Sequence, residues 1–141
     1  MKNKKIVWSF VIILVCLIVG FSAMKYYLNH NVGYQLKKLE NGNTSQKIKA
    51  ISFLSDKKIL SIIPILMDNI DNQNRAYWRE DPKGGLTTIS CVATVELGTL
   101  TGYKLGNTCY ETDASELEIK QKWQNWYKNK YPQWLKEHQQ N

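Results

Sequence analysis

Between Ile6 and Met24 the chain reads IVWSFVIILVCLIVGFSAM, without one charged residue. At roughly 1.5 Å rise per residue this run makes a helix about 28 Å long, close to the ~30 Å hydrocarbon core of a bilayer. A helix with no polar face has no side to turn to water, which argues against one layer of a globular core. MKNKK precedes the run and Lys25 follows it. A secretory signal competes with an anchor here, but its apolar region ordinarily spans only about 7–15 residues before a small-x-small cleavage site. Cleavage after Ala23 would put Phe21 where a small side chain is needed; cleavage after Ser22, with Gly20 two residues earlier, stays open. Cys16 follows Val15 instead of Gly or Ala, so the lipoprotein-type cleavage box is absent. The expectation is an uncleaved anchor over residues 1–28 and a folded domain over 29–141.

Charge sets the expected orientation. Lys2, Lys4 and Lys5 favour a cytoplasmic N-terminus, and beyond Lys25 no further Lys or Arg occurs until Lys37. The reading is a single-pass inner (plasma) membrane protein with its C-terminal domain extracytoplasmic. The net charge of +7 is then partly an anchoring signal, since beyond Met24 there remain 16 basic residues against 12 acidic ones. These are interspersed, as on a solvated face, so a nucleic-acid partner is not expected despite the basic balance.

Cys91 and Cys109 are the cysteines outside the apolar run. In an oxidising compartment they could close a loop of about 17 residues, worth roughly 3 kcal/mol by chain entropy. Alternatively Cys91, inside an apolar helical pattern, is a small core residue. Neither reading supplies metal-ligand spacing.

Along the domain, Tyr34, Leu36 and Leu39 predict a short helix ending at ENGN, with Gly42 as a left-handed cap. Thr44 or Ser45 is the expected cap of the next helix, whose Ile48, Ala50, Ile51 and Leu54 form one apolar stripe. SDKK reads as a turn with Ser55 or Asp56 as the following N-cap. A second helix is expected from Ile59, Leu60, Ile62, Ile63, Leu66, Met67 and Ile70, starting or kinking at Pro64. LTTISCVATVELGTL (Leu86 to Leu100) predicts a buried helix in which Glu96 needs an exposed edge or a partner, with Gly102 as its stop. Ser115 is the expected cap of a last helix in which Trp123, Trp126, Tyr127 and Tyr131 share one face and Pro132 interrupts.

The helix pair of residues 47–71 resembles a HEAT-type repeat. Ala50 and Leu54 carry the resemblance in the first helix, and Ile63-Pro64, Leu66, Ile70 and Asp71 in the second. ISCVATVELGTLTGYKLG followed by KWQNWYKNKYP is similar to the closing segment of small bacterial HEAT-like proteins, on Leu97, Leu100, Thr101, Gly102, Trp123 and Trp126. The chain departs from that pattern at YWREDPKGG, where only Arg75 and Ala76 echo a repeat's opening helix. The resemblance implies an all-α fold: an N-terminal transmembrane helix, then a short HEAT-like α-α superhelical array closed by the Tyr34–Leu39 segment and the tryptophan stripe.

Catalytic constellations are not apparent. His30 adjoins the anchor and His138 lies in a polar tail. DPKGGLTT places two glycines before an expected helix N-terminus but lacks phosphate-loop spacing. No G-x-S-x-G turn occurs, and Glu111, Asp113 and Glu116 read as helix-start charge. An enzyme, a cofactor and a metal are therefore not expected. The expected role is a non-catalytic scaffold or adaptor that presents a helical surface to an unidentified envelope protein, with Tyr77, Trp78 and Arg79 as candidate contacts. The alternative is an envelope ligand-binding or inhibitory, immunity-type protein using exposed aromatics.

Overall fold

The computed structural model describes residues 2–77, 85–109 and 112–138. Among these it is mostly helical, with seven α-helices, one 3-10 turn and two short strands. Two compact units are present, Met1–Gln35 and Leu36–Asn141.

The first unit is built on α1 (Lys2–His30), one continuous helix through the apolar run. Between Ile13 and Met24 its large apolar side chains are exposed at 53–74%, as a stretch with no polar face dictates. His30 stacks on Tyr26, and its Nδ1 lies 2.8 Å from the Tyr26 carbonyl one turn back. Asn31 breaks the helix, and its Oδ1 accepts the Tyr34 N–H to start α2 (Val32–Asn41). Among the described residues no single helix is long and apolar enough to cross a membrane. Ile13–Tyr27 and Val32–Asn41, bent by 75°, pass that test only as a pair. The expected span from Ile6 begins upstream of this stretch, and Lys37, Lys38 and Glu40 make the second half of the pair a poor one for lipid.

The second unit has one core. α3 (Thr44–Asp56) is capped not by Thr44 or Ser45 but by Asn43, which makes a reciprocal box with Gln46. Ile48, Ala50, Ile51 and Leu54 are all fully buried. Gly42 does not take the left-handed conformation the sequence predicts; a Cβ there would lie 2.4 Å from the Lys38 carbonyl. The helix runs on through Ser55 and Asp56, so neither caps its successor. Instead Lys58, at φ 54°, turns the chain, and Ile59 N–H bonds Leu54 O at 3.0 Å in a Schellman-type close.

The expected long second helix is two pieces, a 3-10 turn at Leu60–Ile62 and the short α4 (Ile63–Asp68) with Pro64 in its first turn. Proline's missing N–H is harmless there, which explains where the helix starts. Ile62, Ile63, Leu66, Met67 and Ile70 are nevertheless all buried. With its second helix this short, no HEAT repeat is evident.

β1 (Arg75–Tyr77) and β2 (Leu86–Thr88) then pair antiparallel, with Tyr77 opposite Leu86. This corrects the expectation of helix from Leu86: α5 (Ile89–Thr101) starts three residues later, where Thr88 Oγ1 accepts the Cys91 N–H. It ends at Gly102 in the left-handed conformation, as expected. α5 packs on α3 and α4 and is buried nearly all round. α6 (Asp113–Asn129) begins before Ser115, after Thr112, and is closed by Lys130 as its C-cap; Pro132, expected to interrupt the helix, instead sits in the first turn of α7 (Tyr131–His138).

Candidate functional site

The expected contact residues separate at the limit of the described structure. Tyr77 ends β1 and is 67% exposed beside Leu86, itself 56% exposed, so an aromatic and an aliphatic side chain sit opposite each other in water. Trp78 and Arg79 lie outside the described residues, as does most of DPKGG. β2 stands between Gly85 and α5, so Gly85 does not adjoin the α5 N-terminus.

The other chemistry-bearing region surrounds α5 and the loop after it. Cys91 and Cys109 are bonded, with Cα atoms 4.5 Å apart. Hydroxyls reinforce the closure: Ser90 Oγ donates to Ile70 O at 2.5 Å, and the Ser90 and Thr108 hydroxyls are 2.9 Å apart. Thr94 Oγ1 accepts the Thr108 N–H at 3.1 Å. Trp123 Nε1 donates to Gly106 O at 3.0 Å, tying the same loop to α6. Gly106 has φ 96°, and a Cβ there would press on Ile119 at 3.0 Å. On the opposite side of α5, Ser55 Oγ donates to Glu96 Oε2 at 2.5 Å, both groups buried. That is a partner Glu96 requires, and with the two residues 41 positions apart no spacing pattern could have indicated it.

The aromatic stripe is mostly internal. Trp123, Trp126 and Trp134 are buried, while Tyr127 and Tyr131 are half-buried and stacked at 4.8 Å. Edge-on contacts join Trp126 to Trp123 (5.7 Å) and Trp134 (6.0 Å). Burial, then the neighbouring Tyr127, raises the Tyr131 hydroxyl above the ordinary phenol value. His138 stacks on Trp134 and bonds its carbonyl at 2.8 Å, the bonding pattern of a helix end. Trp123 and Trp126 thus lie in the core, whereas Tyr127 keeps part of its ring in water.

The remaining charges are structural in placement. Lys120 bridges Glu116 (2.7 Å) and Asp71 (3.3 Å), and Gln73 donates to Glu116 at 2.6 Å. The Lys120 hydrogen bond holds the Glu116 carboxyl below its ordinary value against the opposing effect of burial, helped by Gln73. For Lys120 burial works to lower the ammonium, but its bonds to Glu116 and Asp71 prevail and raise it. No group of three His, Cys, Asp or Glu side chains among the described residues could hold a metal ion. No protein-family model matches the chain, and neither does any curated protein or any solved structure.

Proposed function

We propose that this chain is a membrane-anchored, non-catalytic scaffold that presents a small helical surface on the extracytoplasmic side of the plasma membrane. The observation that carries the reading is the exposed apolar girdle of α1. Leu14, Val15, Leu17, Ile18 and Phe21 are 59%, 53%, 65%, 58% and 74% exposed. With Ile13 (55%) and Val19 (61%) these positions cover about 240° of the helix at about 100° per residue, so burying one face against protein leaves the rest in water. A lipid environment covers all of them together. Tyr26 and Tyr27, each 67% exposed, follow where amphipathic rings favour the headgroup level.

The Cys91–Cys109 bond supports the placement of the second unit, because such bonds persist where the surroundings oxidise. A HEAT-like layering is part of the proposal, with α3, α4 and α5 as stacked elements that are shorter than a regular repeat. The exposed Tyr77–Leu86 edge, continuing into Trp78 and Arg79 along the chain, is the proposed contact for an envelope protein.

The test is protease treatment of spheroplasts carrying the full chain. Digestion of residues 36–141 from outside is expected, and full protection would overturn the orientation. In intact cells, crosslinking from a photoreactive group at Tyr77 should capture another envelope protein; recovering only copies of this chain would count against the scaffold role.

A further inference from the structure

Beyond that role, the loop after α5 frames a cavity that no function assigned so far uses. About 280 Å³ in volume, it lies between Tyr103 and Leu105 of the loop and α6. Its α6 wall is Lys122, Asn125, Trp126, Asn129 and Lys130, spaced i, i+3, i+4, i+7 and i+8, so one stripe of the helix faces the loop. A second cavity of about 440 Å³ is lined by Thr94, Thr99, Lys104 and Asn107, and again by Tyr103. Tyr103 is thus common to both, with its ring 5.4 Å from that of Trp126.

Three properties define what would fit. Lysines 104, 122 and 130 line the two cavities and no carboxylate does. Lys122 is committed to Glu118 at 2.7 Å, whereas Lys104 and Lys130 are in no ion pair with a described residue. The side-chain amides of Asn125 and Asn129, four residues apart on the same wall, make no hydrogen bond with a described residue. Trp126, on the same wall, has its Nε1 buried and without a hydrogen-bond partner among the described residues, so its resonance is sensitive to small changes at this wall. The loop itself is held in place by the Cys91–Cys109 bond and the Trp123–Gly106 hydrogen bond, so the site is preformed.

From this we infer a binding site for a carboxylated sugar unit, of the kind found in acidic envelope polysaccharides. The amides offer the paired donor and acceptor that vicinal hydroxyls need. The Tyr103 ring and Leu105 supply an apolar wall for a pyranose face, and Lys130 faces the carboxylate. The volume suits one sugar ring, and the cavity sharing Tyr103 would take its neighbour. An acidic peptide would use the lysines but would leave the paired amides and the ring face largely unused.

The test is titration of the full-length protein in detergent micelles with D-glucuronate, following the indole N–H resonances of its tryptophans. A saturable shift of the Trp126 resonance is expected, with that of Trp123, bonded to Gly106, reporting an intact fold. Asn129→Ala and Lys130→Gln alter exposed side chains and so leave the fold in place. Lys130→Gln should weaken glucuronate binding by at least about tenfold, the worth of one charge-assisted hydrogen bond, and Asn129→Ala by about threefold to tenfold, the worth of a neutral one. Glucose and a triglutamate peptide should bind at least about tenfold more weakly than glucuronate. Equal binding of glucose, equal binding of triglutamate, no shift with glucuronate, or a shift untouched by both substitutions would each overturn the assignment.

Discussion

At Trp123 the two jobs of an aromatic side chain can be separated. The ring is fully buried and its N–H meets the Gly106 carbonyl. Trp123→Ala should cost about 3–5 kcal/mol in chemical unfolding, because it leaves a large void. Trp123→Phe keeps much of the volume but strands the carbonyl, for about 1–3 kcal/mol. Tyr77→Ala, at an exposed edge, should stay within about 0.5 kcal/mol, and a larger loss would mean the ring is structural. Glu116 gives a pH signature. Its folded carboxyl lies below the unfolded value of about 4.3, so its contribution is complete above that pH and fades as pH falls through the folded value. Lys120 is shifted upward, so its share is complete below about 10.4 and is lost as pH rises through the folded value. Glu116→Gln should therefore flatten the acid limb of a thermal-stability profile while changing neutral-pH stability by under about 1 kcal/mol. At this scale the sequence was informative where a residue's need was local to it, as with Glu96. It was silent on Ser55, whose hydroxyl lies across the fold from the carboxylate it serves.

The elements follow the apolar pattern in their burial more faithfully than in their boundaries. Every residue of the Ile48–Leu54 stripe is buried where helical spacing puts it, because periodicity reports the face that leaves water. The second apolar band is also buried, yet its helix is only α4, since a wide band satisfies a 3-10 turn and a short helix equally well. The hairpin is not legible in the sequence because three-residue strands carry too little alternation to stand out from a helical pattern that starts at the next residue. Helix ends depart from the sequence pattern where backbone geometry decides. Lys58 holds the left-handed position that glycine usually takes after a helix, and Gly42 is required by close approach to Lys38. Lys58→Gly should accordingly stabilise the protein by up to about 1 kcal/mol, read from the urea midpoint. Gly42→Ala should destabilise it by roughly 1–3 kcal/mol, as overpacking does. A neutral Gly42→Ala would mean that the chain there relaxes freely.

For the molecule as a whole, the apolar helix and the disulfide make distinct demands. A lysine introduced at Val15 would cost about 2.5–3.5 kcal/mol at the centre of a bilayer. On the proposed anchoring, Val15→Lys should therefore shift the full-length protein from the carbonate-resistant membrane fraction toward the extractable one. No shift would argue against a spanning helix. Of the candidate site, the tryptophan stripe was legible from its spacing, and its burial followed from the need to close one end of a small core. The cavity beneath it was not, because it depends on where the 103–109 loop settles against α6. The Cys91–Cys109 bond has a consequence of its own. It makes a covalent ring of α5 and the loop behind it, so a single nick between those cysteines opens the ring without severing the polypeptide into two pieces. A protease that clips the loop would leave a protein still running as one band on a gel, and only a reducing agent would show that it had been cut.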